Sequence, residues 1–130
     1  MTNVDQEFAV RQHRDKMRKE SHAEALSIFT LAGLVPRRMW ELANGYWPDA
    51  PTYDNIRRPW WLVETAIGLI RIGWRKRVLE VDWEATGIEG TVTSDDTTKA
   101  ATYVHAWTPE KAIEYLRRLR EVAAEKDVQP

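Results

Sequence analysis

The chain contains no cysteine, which excludes a cysteine nucleophile. The side chain with the clearest capacity for catalysis is then His105. The acidic residues nearest to it in the sequence are Asp82, Glu84, Asp95 and Asp96. General acid–base chemistry needs such a histidine and a carboxylate to converge. However, an isolated histidine in a strand is more often structural, and no HExxH pattern is present. We therefore predict a non-enzymatic protein without a metal or cofactor, and keep an enzyme that uses His105 and these carboxylates as a third hypothesis.

A basic group beside an aromatic residue suggests a second chemistry. Arg75, Lys76 and Arg77 follow Trp74, and Arg71 lies shortly before them. In single-strand nucleic-acid binding, an aromatic ring stacks on a base while cations follow the phosphates. Against this, the net charge of the chain is −1, whereas nucleic-acid-binding proteins usually have a basic excess. A nucleic-acid-binding module centred on these residues is the alternative hypothesis.

Aromatic and acidic residues indicate protein binding instead. The chain has seven tryptophans, and tryptophan is enriched in the hot spots of interfaces. Residues 82–110 contain six acidic residues against one lysine, which suits either a basic partner or a solubilising loop. A group of aromatic residues either forms a protein-binding patch or anchors residues 46–59. Its members are Trp40, Tyr46, Trp47, Tyr53 and Trp60. The candidate protein-binding residues are Trp47, Tyr53, Trp60, Leu62, Asp95 and Asp96.

The element that must position these side chains is a sheet over Trp60–Trp83, where β-branched and aromatic residues alternate most regularly. We predict three antiparallel strands, with Ala66 and Ile67 as the first turn. Val63 then pairs with Ile70, because side chains alternate along a strand with period two. One face becomes a core of Trp61, Val63, Ile70, Ile72, Trp74, Leu79, Val81 and Trp83. The other is a mixed face of Trp60, Leu62, Leu69, Arg71, Gly73, Val78, Glu80 and Asp82, with the Trp60 indole over Gly73. This face is either half covered by the N-terminal helices or used for binding.

The second turn is predicted to contain an even number of residues. An odd number would move one strand's apolar side chains to the opposite face. The register that we predict pairs Trp74 with Leu79, Ile72 with Val81, Ile70 with Trp83, and Arg71 with Asp82.

The segments before this sheet are predicted to be helical or irregular. Residues 5–32 are rich in good helix formers and contain no Pro or Gly. They are followed by Gly33, a favourable residue after a helix. Ser21 begins a capping-box pattern, which leaves open a second helix that starts there. Pro36 is predicted to open a short helix over 36–44 that buries Met39, Trp40 and Leu42 or Ala43. Residues 46–59, with three prolines, form an ordered but irregular connection.

The segments after the sheet are predicted to be a loop, a strand and a helix. Residues 84–101 are polar and rich in Gly and Thr, with a short edge strand over 90–93 as an option. Residues 102–107 alternate as a fourth strand. Thr108 and Pro109 are typical of a helix start, and the helix is expected to run to about Glu125.

These elements predict one α+β domain over residues 1–130, with 1–4 and 127–130 frayed. It consists of N-terminal helices, an antiparallel meander of three to four strands, and a C-terminal helix packed on the sheet. With no signal peptide and no apolar run long enough to cross a bilayer, we expect a cytoplasmic protein without membrane contact. The fourth strand at an edge, or the thin apolar stripe of the first helix, leaves a homodimer open.

Two stretches resemble small uncharacterised proteins of tailed phages and prophages. One runs from WLVET at Trp61–Thr65 through GLIRIGWRKRVL to Asp82-Trp83, and the other joins VHAW at Val104–Trp107 to KAIEYL. The resemblance covers roughly residues 60–119. It implies a phage-encoded modulator or inhibitor of a host protein, including host defence systems, acting in the host cytoplasm. It implies no particular target and no catalytic motif.

Overall fold

The computed structural model describes the backbone of residues 3–42, 58–74, 77–82, 96–97 and 101–128. Helix α1 spans Asn3–Leu31. Strands β1 (Arg38–Leu42), β2 (Trp60–Thr65), β3 (Gly68–Gly73) and β4 (Val78–Asp82) follow. Two further strands, β5 (Asp96–Thr97) and β6 (Ala101–Val104), precede helix α2 (Pro109–Val128). This arrangement confirms the α+β class.

The six strands form one antiparallel sheet in the order β1-β2-β3-β4-β6-β5. In the first hairpin Trp61 pairs with Ile72 and Val63 with Ile70, as the alternation predicts. In the second hairpin Ile72 pairs with Leu79 and Ile70 with Val81. The predicted even length and faces are therefore correct, but the predicted register is wrong by two residues. As a result, Arg71 lies opposite Glu80 rather than Asp82.

Both helices contribute to the core on one side of the sheet, which we call the inner face. Buried side chains from α1, such as Phe29, and from α2, such as Leu116, join those of the strands in one cluster. The buried inner-face residues are Trp61, Val63, Ile70, Ile72, Leu79, Val81 and Val104. Trp74 lies just beyond β3 and is half-buried against this core, while Trp83 lies outside the described residues.

Helix α1 is continuous, so the optional second helix at Ser21 is not formed. Ser21 is buried in the middle of the helix. Its Oγ donates a hydrogen bond to the Arg18 carbonyl and accepts one from Trp61 Nε1 at 2.8 Å. The Ser21 hydroxyl is therefore hydrogen-bonded both within the helix and to the sheet, and the helix continues through this residue.

The end of α1 is well defined. Gly33 has φ +82°, and Leu34 N–H donates to the Phe29 carbonyl at 2.9 Å. This is the Schellman pattern that glycine favours after a helix, as the sequence predicts for this position. A Cβ on Gly33 would lie 2.8 Å from Cζ of Arg120 of α2, so the missing side chain also leaves room for this guanidinium.

The largest error in the prediction concerns residues 36–44, which are not a helix. Arg38–Leu42 is strand β1, and it pairs with β2 along its whole length. Its inner side chain Glu41 forms ion pairs with Arg14 and Arg18 of α1, and Trp40 is exposed rather than buried. Pairing with the sheet outweighs the local preference for helix, because propensity is worth less than about 1 kcal/mol per ordinary residue.

The C-terminal part follows the prediction more closely. The fourth strand of the prediction, over 102–107, corresponds to β6. Strand β6 begins one residue earlier, at Ala101, and already ends at Val104. Ala106 has φ +51°, a left-handed conformation that ends the strand. Thr108 Oγ1 accepts a hydrogen bond from Lys111 N–H at 3.1 Å, which confirms Thr108 as the N-cap of α2. The optional strand over 90–93 lies outside the described residues.

Candidate protein-binding surface

The second side of the sheet, which we call the outer face, faces away from both helices. Paired residues of neighbouring strands project to the same side, so the strand pairing sets its composition. One row crosses four strands through the pairs Trp40–Leu62, Leu62–Arg71 and Arg71–Glu80. A second row begins with Leu42 beside Trp60, and a third joins Arg38, Glu64 and Leu69. Tryptophan and leucine side chains therefore lie beside a few charged groups.

Trp60 and Gly73 fit together on this face as the sequence predicts. A Cβ placed on Gly73 would lie 2.1 Å from Cε2 of the Trp60 indole. The indole thus occupies the space that any other side chain at residue 73 would need, and Trp60 remains half-buried. Its neighbour Trp61 projects to the inner face and is only 6% exposed.

The charged groups of the outer face are arranged in pairs of opposite sign. Arg71 Nη1 lies 3.3 Å from Glu80 Oε1, and Arg38 Nε lies 3.9 Å from Glu64 Oε2. The Arg38 guanidinium also lies 5.5 Å from the centroid of the Trp40 ring. Exposed ion pairs add little stability, but among the described side chains of this face they balance the two signs of charge. Apolar side chains among paired charges are common in protein interfaces.

Trp40 is the most accessible aromatic side chain of the described outer face, with 38% of its surface exposed. Leu62, Leu69 and Val78 are half-buried. The structure thus brings two candidates for protein binding, Trp60 and Leu62, onto one surface, and adds Trp40 to them. Trp47, Tyr53 and Asp95 lie outside the described residues, and Asp96 is described only as part of the β5 backbone.

The predicted nucleic-acid-binding residues do not form one patch among the described residues. Arg71 lies on the outer face, paired with Glu80. Arg77 lies in the turn after β3, and its guanidinium covers the Trp107 ring at 5.0 Å from the centroid. Trp74 donates from Nε1 to Glu24 at 3.2 Å and packs edge-on against Trp107, so base stacking would require it to leave the core. Arg75 and Lys76 lie outside the described residues.

An open cleft of about 660 Å³ lies between that turn and the start of α2, with Trp74, Arg77 and Glu110 among its lining residues. Helix N-termini attract anions because their N–H groups are unpaired. Here, however, Pro109 has no N–H group, and the Lys111 and Ala112 N–H groups both bond to Thr108. The Glu110 carboxylate adds a negative charge. The N-terminus of α2 therefore offers little to an anionic ligand in this cleft.

His105 is exposed, and its backbone carbonyl accepts a hydrogen bond from Lys111 Nζ at 3.1 Å. The side chains of the four acidic residues proposed to act with it, Asp82, Glu84, Asp95 and Asp96, lie outside the described part of the chain. Among the described residues, no group of three histidine or acidic side chains is placed to hold a metal ion. The enzyme hypothesis therefore stays a prediction.

Sequence reasoning missed two charged residues that border the outer face. Arg38 was missed because residues 36–44 were assigned to a helix, whereas Glu64 follows the alternation of β2 but was not included in the predicted mixed face. The signal available was the alternation of Arg38, Trp40 and Leu42 with Met39 and Glu41. That pattern has a charged residue on both sides and therefore gives no clear strand signature.

Comparisons of the chain with protein-family models, with curated proteins and with solved structures found no match. No helix within the described ranges is long and apolar enough to cross a bilayer. The fold and its surfaces therefore define the class: an α+β domain with a two-helix layer on one side of its sheet and a mixed aromatic face on the other.

Proposed function

We propose that this protein is a non-enzymatic protein-binding module and that it binds its partner with the outer face of the sheet. The observation that carries the proposal is the exposure of Trp40 beside Leu62 and Trp60 on the side of the sheet opposite α1 and α2. Tryptophan contributes a large apolar area at small entropic cost, which is why it dominates many interface hot spots.

The charges of the outer face support a protein partner over nucleic acid. Phosphate binding requires arginines and lysines that are available to the backbone of the nucleic acid. Arg38 and Arg71 are each paired with a glutamate of the neighbouring strand. A partner with a mainly apolar contact surface and a few polar groups at its edge complements this face better than a polyanion does.

The narrower proposal concerns the origin of the partner. If the resemblance to phage and prophage proteins reflects descent, the partner is a host protein, and the chain is a modulator or inhibitor that acts in the host cytoplasm. Only that resemblance supports this step. The outer face supports protein binding whichever organism supplies the partner.

The test is a comparison of three versions of the protein as bait: the wild type, Leu62→Arg and Thr30→Arg. Leu62 lies in the central row of the outer face, whereas Thr30 is exposed on α1, so Thr30→Arg controls for the added charge. A partner captured by the wild type is purified, and its affinity for each version is measured by calorimetry. We expect Leu62→Arg to weaken binding at least about tenfold, or 1.4 kcal/mol, and Thr30→Arg to leave it unchanged.

Equal affinity for the wild type and Leu62→Arg would contradict the outer face as the binding site. Circular dichroism of each version shows whether the fold is intact. Titration with single- and double-stranded oligonucleotides at several salt concentrations addresses the alternative. Binding that falls steeply with salt and disappears in an Arg75/Lys76/Arg77→Ala variant would favour a nucleic-acid-binding module instead.

A further inference from the structure

The two strands at the ends of the sheet differ in how they are built. Strand β5 has two residues, whereas β1 has five, and every one of them is paired with β2. In the described part of the chain, no strand pairs with the far side of β1. A regular edge strand presents N–H and C=O groups that another strand can bind, and proteins often limit this by keeping edge strands short. Strand β5 is short in this way, whereas β1 is not.

Within the described ranges, the other protective devices at β1 are weak. Proteins also protect edges with lysine, proline or a charge that points inward. β1 contains no lysine or proline, and its one inward charge is Glu41. Arg14 and Arg18 of α1 pair with that carboxylate, so it does not stand as an isolated charge against an approaching strand.

We propose that β1 pairs antiparallel with β1 of a second copy of this chain, across a two-fold axis at Trp40. This register is the only symmetric one that pairs all five residues of the strand. It places Trp40 opposite its own counterpart, Arg38 opposite Leu42, and Met39 opposite Glu41. No like charges face each other, whereas a register centred on Glu41 would oppose two carboxylates. Cross-strand aromatic pairs stabilise a sheet by roughly 0.2–1 kcal/mol.

Helix α1 supplies further contact area. It meets β2 through Ser21 and Trp61 and β1 through Arg18 and Glu41, so the residues before Arg14 lie on the β1 side of the sheet. The segment before Arg14 extends about 15 Å at 1.5 Å per residue and includes Phe8, which is 61% exposed. Because stable interfaces bury about 800 Å² per partner, a five-residue strand pair needs this extra area. We therefore expect a reversible dimer.

Dimerisation is measured by sedimentation velocity over a wide range of protein concentration. The variant is Trp40→Lys, which brings two lysines together at the two-fold axis. The control is Leu26→Lys on α1, where the replaced side chain is 40% exposed, against 38% for Trp40. The expected result is a dimer that forms with rising concentration in the wild type and in Leu26→Lys, and a monomer in Trp40→Lys. A wild type that stays monomeric, or a Trp40→Lys variant that still dimerises, would overturn the proposal.

The absence of cysteine from the chain allows a second test that also applies if Trp40→Lys fails to fold. Directly paired residues have Cα atoms about 4.5–5.5 Å apart, within the range of a disulfide. Under mild oxidation, Trp40→Cys should form a disulfide-linked dimer and Leu26→Cys should not. Arg38→Cys mixed with Leu42→Cys should give the mixed dimer, and neither should cross-link alone. A Trp40→Cys protein that stays uncross-linked where the wild type dimerises would rule out this register.

These measurements also separate the dimer from the proposed function. Leu62→Arg lies on β2, one strand away from the two-fold axis. If it dimerises normally and keeps its affinity for the partner, the outer-face proposal fails and the dimer stands. If the wild type is monomeric while Leu62→Arg loses the partner, the opposite holds.

Discussion

Trp60 and Trp61 are neighbours in the same strand, yet they lie in two different environments. Trp61 is buried under α1, donates from Nε1 to the Ser21 hydroxyl, and packs edge-on against His22 at 5.0 Å. Trp60 lies on the outer face, half-buried over the backbone of Gly73. The inner face is therefore held by contacts with another layer, whereas the contacts of the outer face within the described residues are largely inside the sheet. Such a face can accept a partner without losing the core.

The sharpest test of this comparison replaces one side chain on each face. Ile72 is fully buried on the inner face, and Leu62 is half-buried on the outer face. We expect Ile72→Ala to lower the free energy of unfolding by about 2–5 kcal/mol, because the lost contacts leave a cavity. Leu62→Ala should cost roughly 1 kcal/mol. Urea unfolding followed by circular dichroism measures both, and similar losses would show that the two faces are equally packed.

The contact between Trp60 and Gly73 gives the next largest effect. In Gly73→Ala the new Cβ would lie within 2.5 Å of three atoms of the indole, so the ring must move. We expect a loss of roughly 1–3 kcal/mol, the usual cost of overpacking. In a Trp60→Ala background the same change should cost much less, and a double-mutant cycle isolates that difference. An equal cost in both backgrounds would mean that the indole does not restrict residue 73.

Local pattern was enough to predict the first hairpin and the faces of its two strands, β2 and β3. Alternation assigns each residue of Trp60–Gly73 to a face, and the two-residue turn at Ala66 and Ile67 leaves a single register that keeps the apolar side chains together. The same argument predicted the Trp60–Gly73 contact on the outer face, because these residues follow the register of that hairpin. Short-range information suffices where the connection is short.

The register of the second hairpin depends on contacts that are distant in the sequence. A shift of two residues keeps every side chain on its face, so alternation cannot distinguish the two registers. Nor does charge, since Arg71 finds an acidic partner in either case. The observed turn is bound by Trp107, whose Nε1 donates to the Gly73 carbonyl and whose N–H donates to the Arg77 carbonyl. These bonds span about thirty residues, and the sequence pattern does not reveal them.

Strand β1 was mispredicted for a similar reason. Pro36 and the residues after it are typical of a helix start, and the local signal for a strand is weak. What stabilises the strand is its pairing with β2 and the ion pairs of Glu41 with α1. Because this strand also places Trp40 on the outer face, the same error hid the most exposed aromatic residue of the candidate site.

The smallest expected effect concerns the ion pair in the middle of the outer face. Arg71 and Glu80 are directly paired, and their side chains are 47% and 20% exposed. We expect Arg71→Ala and Glu80→Ala each to change the free energy of unfolding by no more than about 1 kcal/mol, because water screens an exposed pair. The double variant should show a coupling of a few tenths of a kcal/mol, which high salt reduces. A coupling well above 1 kcal/mol that resists salt would mean that this pair is shielded from water, and the outer face would then be a second core rather than a surface for a partner.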